Sequence, residues 1–288
     1  MMKNRFFCFT NRRARIIVGL LLVGMFTVQC TRSHAIREQS PVMAISGEIV
    51  GSIGSEQQRK IEQLARTDHI KLLKQALENY RSSYRDYTCV FVKQERIHGV
   101  LKPQQEMEVK FLDEPFSVSM RWIKNAPTAE RILFVKGKYN NMMLIKPKGF
   151  LGNLLGVVRR APNSPDVMAN TLKPITDFGF ENMIKNLLKT YELAASRHEG
   201  VSKFAGYARL DGRKVLVLKR LLPPREDYPA KSITWYFDPE YFVPVGIEAT
   251  DWNNNLIYSY FYKNIRFNVG LTPEDFTPQA NGMNLKKK

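Results

Sequence analysis

From Glu106 to Leu112 apolar and charged side chains alternate without a break. Met107, Val109 and Phe111 fall on one side, and Glu106, Glu108 and Lys110 on the other. Phe116 to Ile123 repeats the pattern, with Phe116, Val118, Met120 and Trp122 opposite Ser117, Ser119 and Arg121. A period of two marks a strand with one face on a core; a helix, with its period of 3.6, scatters such a pattern around its whole surface. The chain therefore builds its core on a sheet.

The same reading extends the sheet in both directions. Tyr87 to Arg96 is a strand with Tyr87, Cys89 and Phe91 on one face and Thr88, Val90 and Val92 on the other. Ile132 to Val135 and Met142 to Ile145 flank Gly137, a hairpin signal. Asp211-Gly212 makes a tight turn between Phe204–Leu210 and Arg213–Leu221. Lys231 to Asp238 follows, with Ile233, Trp235 and Phe237 together. Then comes Tyr241 to Ala249, where Pro244 demands an edge or a bulge. The last strand, Leu256 to Phe267, carries Leu256, Tyr258, Tyr260 and Tyr262 on one face and Ile257, Phe261, Ile265 and Phe267 on the other.

Two stretches have the helical period instead. Residues 57–84 read as helical, with Thr67 or Asp68 capping a second segment in which Leu73, Ala76, Leu77, Tyr80 and Tyr84 recur. Phe180 to Ala194 places Met183, Ile184, Leu187, Leu188 and Tyr191 on one face. Short turns between successive strands specify an antiparallel sheet. Several strands are apolar on both faces, which a flat sheet with one wet face does not require. The expected fold is α+β and mainly antiparallel β: a strongly curved sheet, an unclosed half-barrel, with helices covering its concave side.

The first 35 residues have the three parts of an export signal. Lys3, Arg5, Arg12, Arg13 and Arg15 form a basic start. An apolar run extends from Ile16 to Val28, and a small-x-small site lies at Ser33-His34-Ala35. As a helix the run rises roughly 20 Å, short of a ~30 Å hydrocarbon core, so cleavage before Ile36 is expected and a permanent anchor is not. Arg12-Arg13 hints at twin-arginine export, which the following residues fit poorly. Cys30 ends the apolar run where an acylated cysteine would sit, although Gln29 fits that motif poorly; a membrane-anchored lipoprotein is the alternative. The expected organisation is residues 1–35 as signal peptide, 36–56 as a flexible arm, 57–280 as one domain and 281–288 as a basic tail.

About 250 residues remain after cleavage, enough for one large β-rich domain. The net charge of +17 falls to about +11 without the leader, so the basicity belongs to the domain. For an exported protein it suits an anionic membrane surface or wall polymers better than nucleic acid, and a merely soluble basic surface is the other reading. Cys89 is left as the one cysteine after cleavage and has no intramolecular disulfide partner. In an apolar strand it reads as a small buried hydrophobe.

The residues offer little to a catalyst. His69, His98 and His198 are far apart and lack paired-ligand spacing, and there is no HExxH, no G-x-S-x-G and no phosphate loop. Gly149, Gly152 and Gly156 do not match G-x-G-x-x-G. Glu106 and Glu108 share a strand face with Lys110 and read as a solvated face. No enzyme activity, cofactor or metal is expected. The chain is rich instead in large apolar side chains on curved strands. Met107, Val109, Phe111, Val118, Met120, Trp122, Trp235 and Phe237 are candidates for the wall of an acyl cavity, with an ordinary core as the alternative. The stretch 149–157 is apolar, but its three glycines suit neither helix nor strand. Phe150, Leu151, Leu154 and Leu155, with Arg159 and Arg160 after them, are candidates for a lid or a membrane contact, the alternative being a loop packed on the core.

Asp86-Tyr-Thr-Cys-Val-Phe-Val-Lys-Gln-Glu-Arg-Ile97 after a helix, Pro115-Phe-Ser-Val-Ser-Met-Arg-Trp122, Pro174-Ile-Thr-Asp-Phe-Gly179 before a helix, and the Tyr-rich last strand together resemble the domain of unknown function 1571 family, over roughly residues 68–278. That family is in turn similar to the lipoprotein-carrier group of LolA, LolB and RseB. The shared features include strands carrying Trp and a late hairpin, here Asp238 to Pro244. The resemblance implies an unclosed antiparallel barrel with helices across its mouth and an apolar cavity. The lid-locking arginine of the carriers has no assignable counterpart in this sequence. The functional expectation is a periplasmic carrier that binds acyl lipid or a lipidated protein. The alternative is an envelope sensor or scaffold that docks a protein partner on the same sheet.

Overall fold

The computed structural model describes residues 42–44 and 55–285. The expected signal peptide, Cys30 and the cleavage site at Ala35 lie outside the described residues, as does most of the expected arm. Within that arm Val42–Ala44 forms a short strand, β1. Helices α1 (Glu56–Thr67) and α2 (His69–Ser83) follow. Asp68 separates them: it leaves the helical backbone at φ −149° and its carboxylate accepts the Lys71 backbone N–H at 2.9 Å. Of the two candidate caps for the second helical segment, Thr67 and Asp68, the structure uses Asp68.

The first half of the sheet comprises β2 (Asp86–Ile97), the short β3 (Val100–Leu101), β4 (Gln105–Leu112), β5 (Ser117–Lys124), β6 (Ala129–Val135) and β7 (Met143–Pro147). Helix α3 (Gly149–Leu155), the edge strand β8 (Val158–Arg160) and the single turn α4 (Pro165–Met168) lead to α5 (Phe180–Ser196). The second half is a meander of β9 (Val201–Leu210), β10 (Arg213–Leu221), β11 (Ser232–Asp238), β12 (Val243–Thr250) and β13 (Leu256–Phe267).

The strand order is β1-β9-β10-β11-β12-β13-β2-β4-β5-β6-β7-β8, with every neighbouring pair antiparallel. Each half is a run of hairpins. The β2–β13 pair joins them, Phe91 opposite Tyr262 and Val92 opposite Phe261, so the first long strand and the last are neighbours. The sheet is curved and does not close into a barrel. The turn at Asp211-Gly212 has both residues at positive φ, 53° and 77°, as a two-residue hairpin of this hand requires. Pro244 lies in β12, an interior strand, at a bulge: Tyr236 faces Gly246 but Phe237 faces Pro244, so Val245 is the extra residue.

Both faces of the sheet are covered. On the concave side α2 buries Leu72, Leu73, Ala76 and Tyr80, and α5 buries Met183, Ile184, Leu187, Leu188 and Tyr191. At roughly 1.5–3 kcal/mol for each large aliphatic side chain, these two helices supply a large share of the driving force. On the other side the C-terminal segment packs over β4 to β7, where Phe276 and Met283 join Leu112, Leu133, Val135 and Leu144. Buried Asn281 fastens this segment: it accepts from Ser119 Oγ at 2.6 Å and donates to the carbonyls of Asp275 and Thr277 at 2.9 and 2.8 Å. Asn281 and Met283, which fall in the expected basic tail, are therefore part of the packed domain.

The stretch 149–157 corrects the expectation that its glycines exclude a helix. Gly149 and Gly156, at φ 72° and 69°, occupy the two ends of α3, where positive φ is useful. Inside the helix only Gly152 remains, pressed on Pro147, whose carbonyl oxygen would lie 1.9 Å from an added Cβ.

Candidate functional site

A cavity of about 580 Å³ lies on the concave side, between the sheet and α5, within the range of small-molecule sites, roughly 300–1,000 Å³. Four methionines reach it: Met107 from β4, Met120 from β5, Met143 from β7 and Met183 from α5, each under a tenth exposed. Trp122, Ile132, Ile145 and Val158 on β5 to β8 line it and are half-buried. Ile233, Ile247, Tyr258, Tyr260 and Tyr262 form the wall toward the second half of the sheet. The segment 166–179 and Leu187 and Leu193 of α5 complete the lining. Methionines and alternating isoleucines give a wall without fixed polar anchors over most of its extent, suited to flexible chains.

One part of the wall is polar. Strand β2 keeps its period through Phe91, Lys93 and Glu95, so two charged side chains follow the apolar ones onto the cavity face. Glu95 is 4% exposed. Its carboxylate accepts from Lys93 Nζ at 3.0 Å, from Tyr260 Oη at 2.5 Å and from Thr171 Oγ1 at 3.3 Å. Burial and then the adjacent Glu95 charge push the Tyr260 hydroxyl far above its ordinary range, so it stays a donor. Burial also raises Tyr258, to about 12, and its ring stacks on Tyr260 with centroids 4.8 Å apart. Lys173 lines the same region, its ammonium 5.6 Å from the centre of the Tyr258 ring. Burial lowers its pKa. Gln105 accepts the Trp122 indole N–H at 2.8 Å and so fixes that ring at the wall.

Of the eight residues expected to line a cavity, Met107, Met120 and Trp122 do. Val109, Phe111, Val118, Trp235 and Phe237 do not line this cavity. They point to the same side of the sheet but lie beneath the helices, each no more than 3% exposed. Trp235 donates its indole N–H to Tyr191 of α5 at 2.9 Å. Phe111 stacks on Tyr87 with centroids 4.7 Å apart, and Gly179 at the start of α5 sits against its edge. Alternation fixes a face; where helices lie on that face decides which part of it is core. The missed wall residues include Glu95, Lys93, Lys173 and Thr171. Extending the β2 alternation past Phe91 places the first two on the inner face.

In α3, Phe150 is 79% and Leu154 59% exposed, one helical turn apart, and neither lines the cavity. The side chains of Leu151 and Leu155 lie outside the described residues. Arg159 is exposed, while Arg160 lines the cavity and pairs with Asp166 at 2.6 Å. Glu106 and Glu108 pair across to Lys124 and Arg121 on β5, as a solvated ladder does. His69 is buried, whereas His98 and His198 sit at positive-φ positions far from it in sequence. Among the described residues no group of three or more His, Cys, Asp or Glu is placed to hold a metal, and no helix is long and apolar enough to cross a membrane.

The family described as protein of unknown function DUF1571 matches residues 84–284. No curated protein matches the chain. Among solved structures the chain is similar to the MucA/MucB complex of Pseudomonas aeruginosa, at 14% identity over 74% of this chain and 61% of that chain, with a TM-score of 0.42. It is similar to a putative outer membrane lipoprotein-sorting protein domain from Vibrio parahaemolyticus, at 12% identity over 74% and 97%, with a TM-score of 0.35. It is also similar to a LolA superfamily protein from Nitrosomonas europaea, at 9% identity over 72% and 98%, with a TM-score of 0.31. The chain spans about three fifths of the length of the MucB chain.

Proposed function

This chain belongs to the DUF1571 family, and on that premise we propose that it is an exported envelope protein holding acyl chains, of a lipid or a lipidated protein, in the cavity between α5 and the sheet. The observation that carries this reading is the wall itself: four methionines, several isoleucines and the Trp122 ring around about 580 Å³. Burying a methylene there is worth roughly 0.8 kcal/mol, so an eight-carbon stretch gives about 6 kcal/mol gross. Ordering the chain takes back several of these, which places binding in the micromolar range. Phe150 and Leu154, with Lys148 and Arg159 at the ends of α3, form the surface that touches an anionic membrane or closes over the cavity when the ligand is exchanged. The protein acts in the periplasm after removal of residues 1–35. Mass spectrometry of an organic extract of the purified protein tests the reading. A stoichiometric acyl lipid supports it. An empty extract together with no binding of an acyl probe rejects it.

A further inference from the structure

The charges along the cavity wall mostly neutralise one another. Lys93 pairs with Glu95 at 3.0 Å, Arg160 with Asp166 at 2.6 Å, and Asp227 is taken by Arg197 at 2.5 Å. What remains is Lys173, Lys189 and Asp177. Lys189 and Asp177 are exposed. Lys173 is not: it is half-buried against the Tyr258 ring, and its ammonium has no hydrogen bond or ion pair among the described residues. The deeper acid, Glu95, does not serve it, because Lys93, Thr171 and Tyr260 already occupy its oxygens. A partly desolvated ammonium without an acceptor is destabilising unless something supplies one.

We propose that Lys173 is the headgroup site of this cavity, and that the ligand is a single-chain amphiphile with an anionic head, a carboxylate or a phosphate. The proposal rests on the acyl-cavity reading above and makes it more specific. The chain lies along Met107, Met120 and Met143, and the head meets the ammonium beside Tyr258. The buried Lys93–Glu95 pair stays neutral as a unit and fixes Thr171 next to the head, so the segment 171–175 is ordered from one side by Glu95 and from the other by the ligand. An uncharged head leaves the ammonium unsatisfied and binds more weakly. A charge-assisted hydrogen bond in such a setting separates the two by about tenfold or more.

The experiment uses the full chain loaded with N-phenyl-1-naphthylamine, a neutral apolar dye that reports occupancy of the cavity. Dodecanoate, dodecyl phosphate and dodecanol compete for it in the wild type and in Lys173→Met, Lys173→Arg and Lys189→Met. At least one anion should displace the dye at a concentration about tenfold below dodecanol, and the better of the two identifies the head. Lys173→Met should erase that difference by weakening the anion alone; Lys173→Arg and Lys189→Met should keep it. Equal competition by all three in the wild type, or an anion preference that survives Lys173→Met, overturns the assignment of Lys173 and leaves the acyl cavity standing. If neither the dye nor any competitor binds, the cavity reading itself fails. Dye binding that is unchanged in Lys173→Met shows that the variant is folded.

Discussion

Trp235 of β11 donates its indole N–H to the hydroxyl of Tyr191 on α5 at 2.9 Å, so one hydrogen bond ties the helix to an interior strand of the sheet. The Tyr191 hydroxyl in turn faces His69 Nδ1 at 3.2 Å, and His69 Nε2 donates to the Ala65 carbonyl at 2.7 Å. The carbonyl can only accept, so Nε2 carries a proton, and burial favours the neutral ring, whose Nδ1 then accepts from Tyr191. Four elements, α1, α2, α5 and β11, thus meet through one buried relay outside the cavity. Tyr191→Phe should lower stability by about 1–3 kcal/mol while acyl-probe affinity is retained; equal denaturation midpoints for the two proteins would show that the relay contributes nothing.

His69 also sets a pH dependence. Burial, helped by the Arg220 charge, holds its pKa below the ordinary value. In the unfolded chain it titrates near 6.5. Below that pH the unfolded state takes the proton first, so stability is complete above about pH 6.5 and falls as the pH drops toward the folded value. The loss is at most about 1.4 kcal/mol per pH unit in that window. Urea midpoints at pH 7.5 and 5.5 should differ less in His69→Gln than in the wild type.

Two glutamate substitutions separate core from cavity. Val118 is fully buried under the helices, and Val118→Glu should unfold the domain, because an unpaired buried carboxylate costs several kcal/mol. Ile145 lies half-buried on the cavity wall. Ile145→Glu should fold, with an unchanged far-ultraviolet spectrum, and lose acyl binding. A Val118→Glu protein that melts like the wild type contradicts the placement of that strand face.

Gly179 adopts φ 109° and ψ 165° immediately before α5, a region glycine alone enters freely. An added Cβ would also lie 3.0 Å from the Phe111 ring. Gly179→Ala should cost about 1–3 kcal/mol and shift α5 away from the wall. The expected readout is a lower melting temperature together with weaker probe binding, since Met183 and Leu187 of that helix line the cavity.

Asp238 ends β11 and organises the next turn. Its carboxylate accepts the backbone N–H groups of Glu240 and Tyr241 at 2.8 and 3.0 Å and pairs with Arg213 Nη2 at 3.0 Å. Arg213 also lies over the Tyr241 ring, its guanidinium carbon 3.9 Å from the ring centre. Asp238→Ala should destabilise by about 3 kcal/mol, less than for a fully buried pair because Arg213 reaches solvent; Asp238→Asn should recover part of this. Chemical denaturation of the three proteins measures the series.

The sequence by itself determined the strands, their faces and the antiparallel plan. Alternation along β4 and β5, the Asp211-Gly212 turn and the amphipathic period of α5 are local signals, and local geometry answers them directly. It also placed Met107, Met120 and Trp122 on the inner face. The tertiary structure decided which part of that face stays open. Trp235 and Phe237 carry the same pattern as Met120, yet α2 and α5 pack on them, whereas over part of β4 to β8 a cavity separates the strands from α5. The polar patch followed the same rule: period two carries Lys93 and Glu95 inward after Phe91, but their partners Thr171 and Tyr260 are distant in sequence. Two of the three glycines of 149–157, Gly149 and Gly156, likewise became helix ends because of where the chain turns. Periodicity reports the side of an element; a cavity is a property of what fails to cover that side, and only the packing of distant elements fixes it.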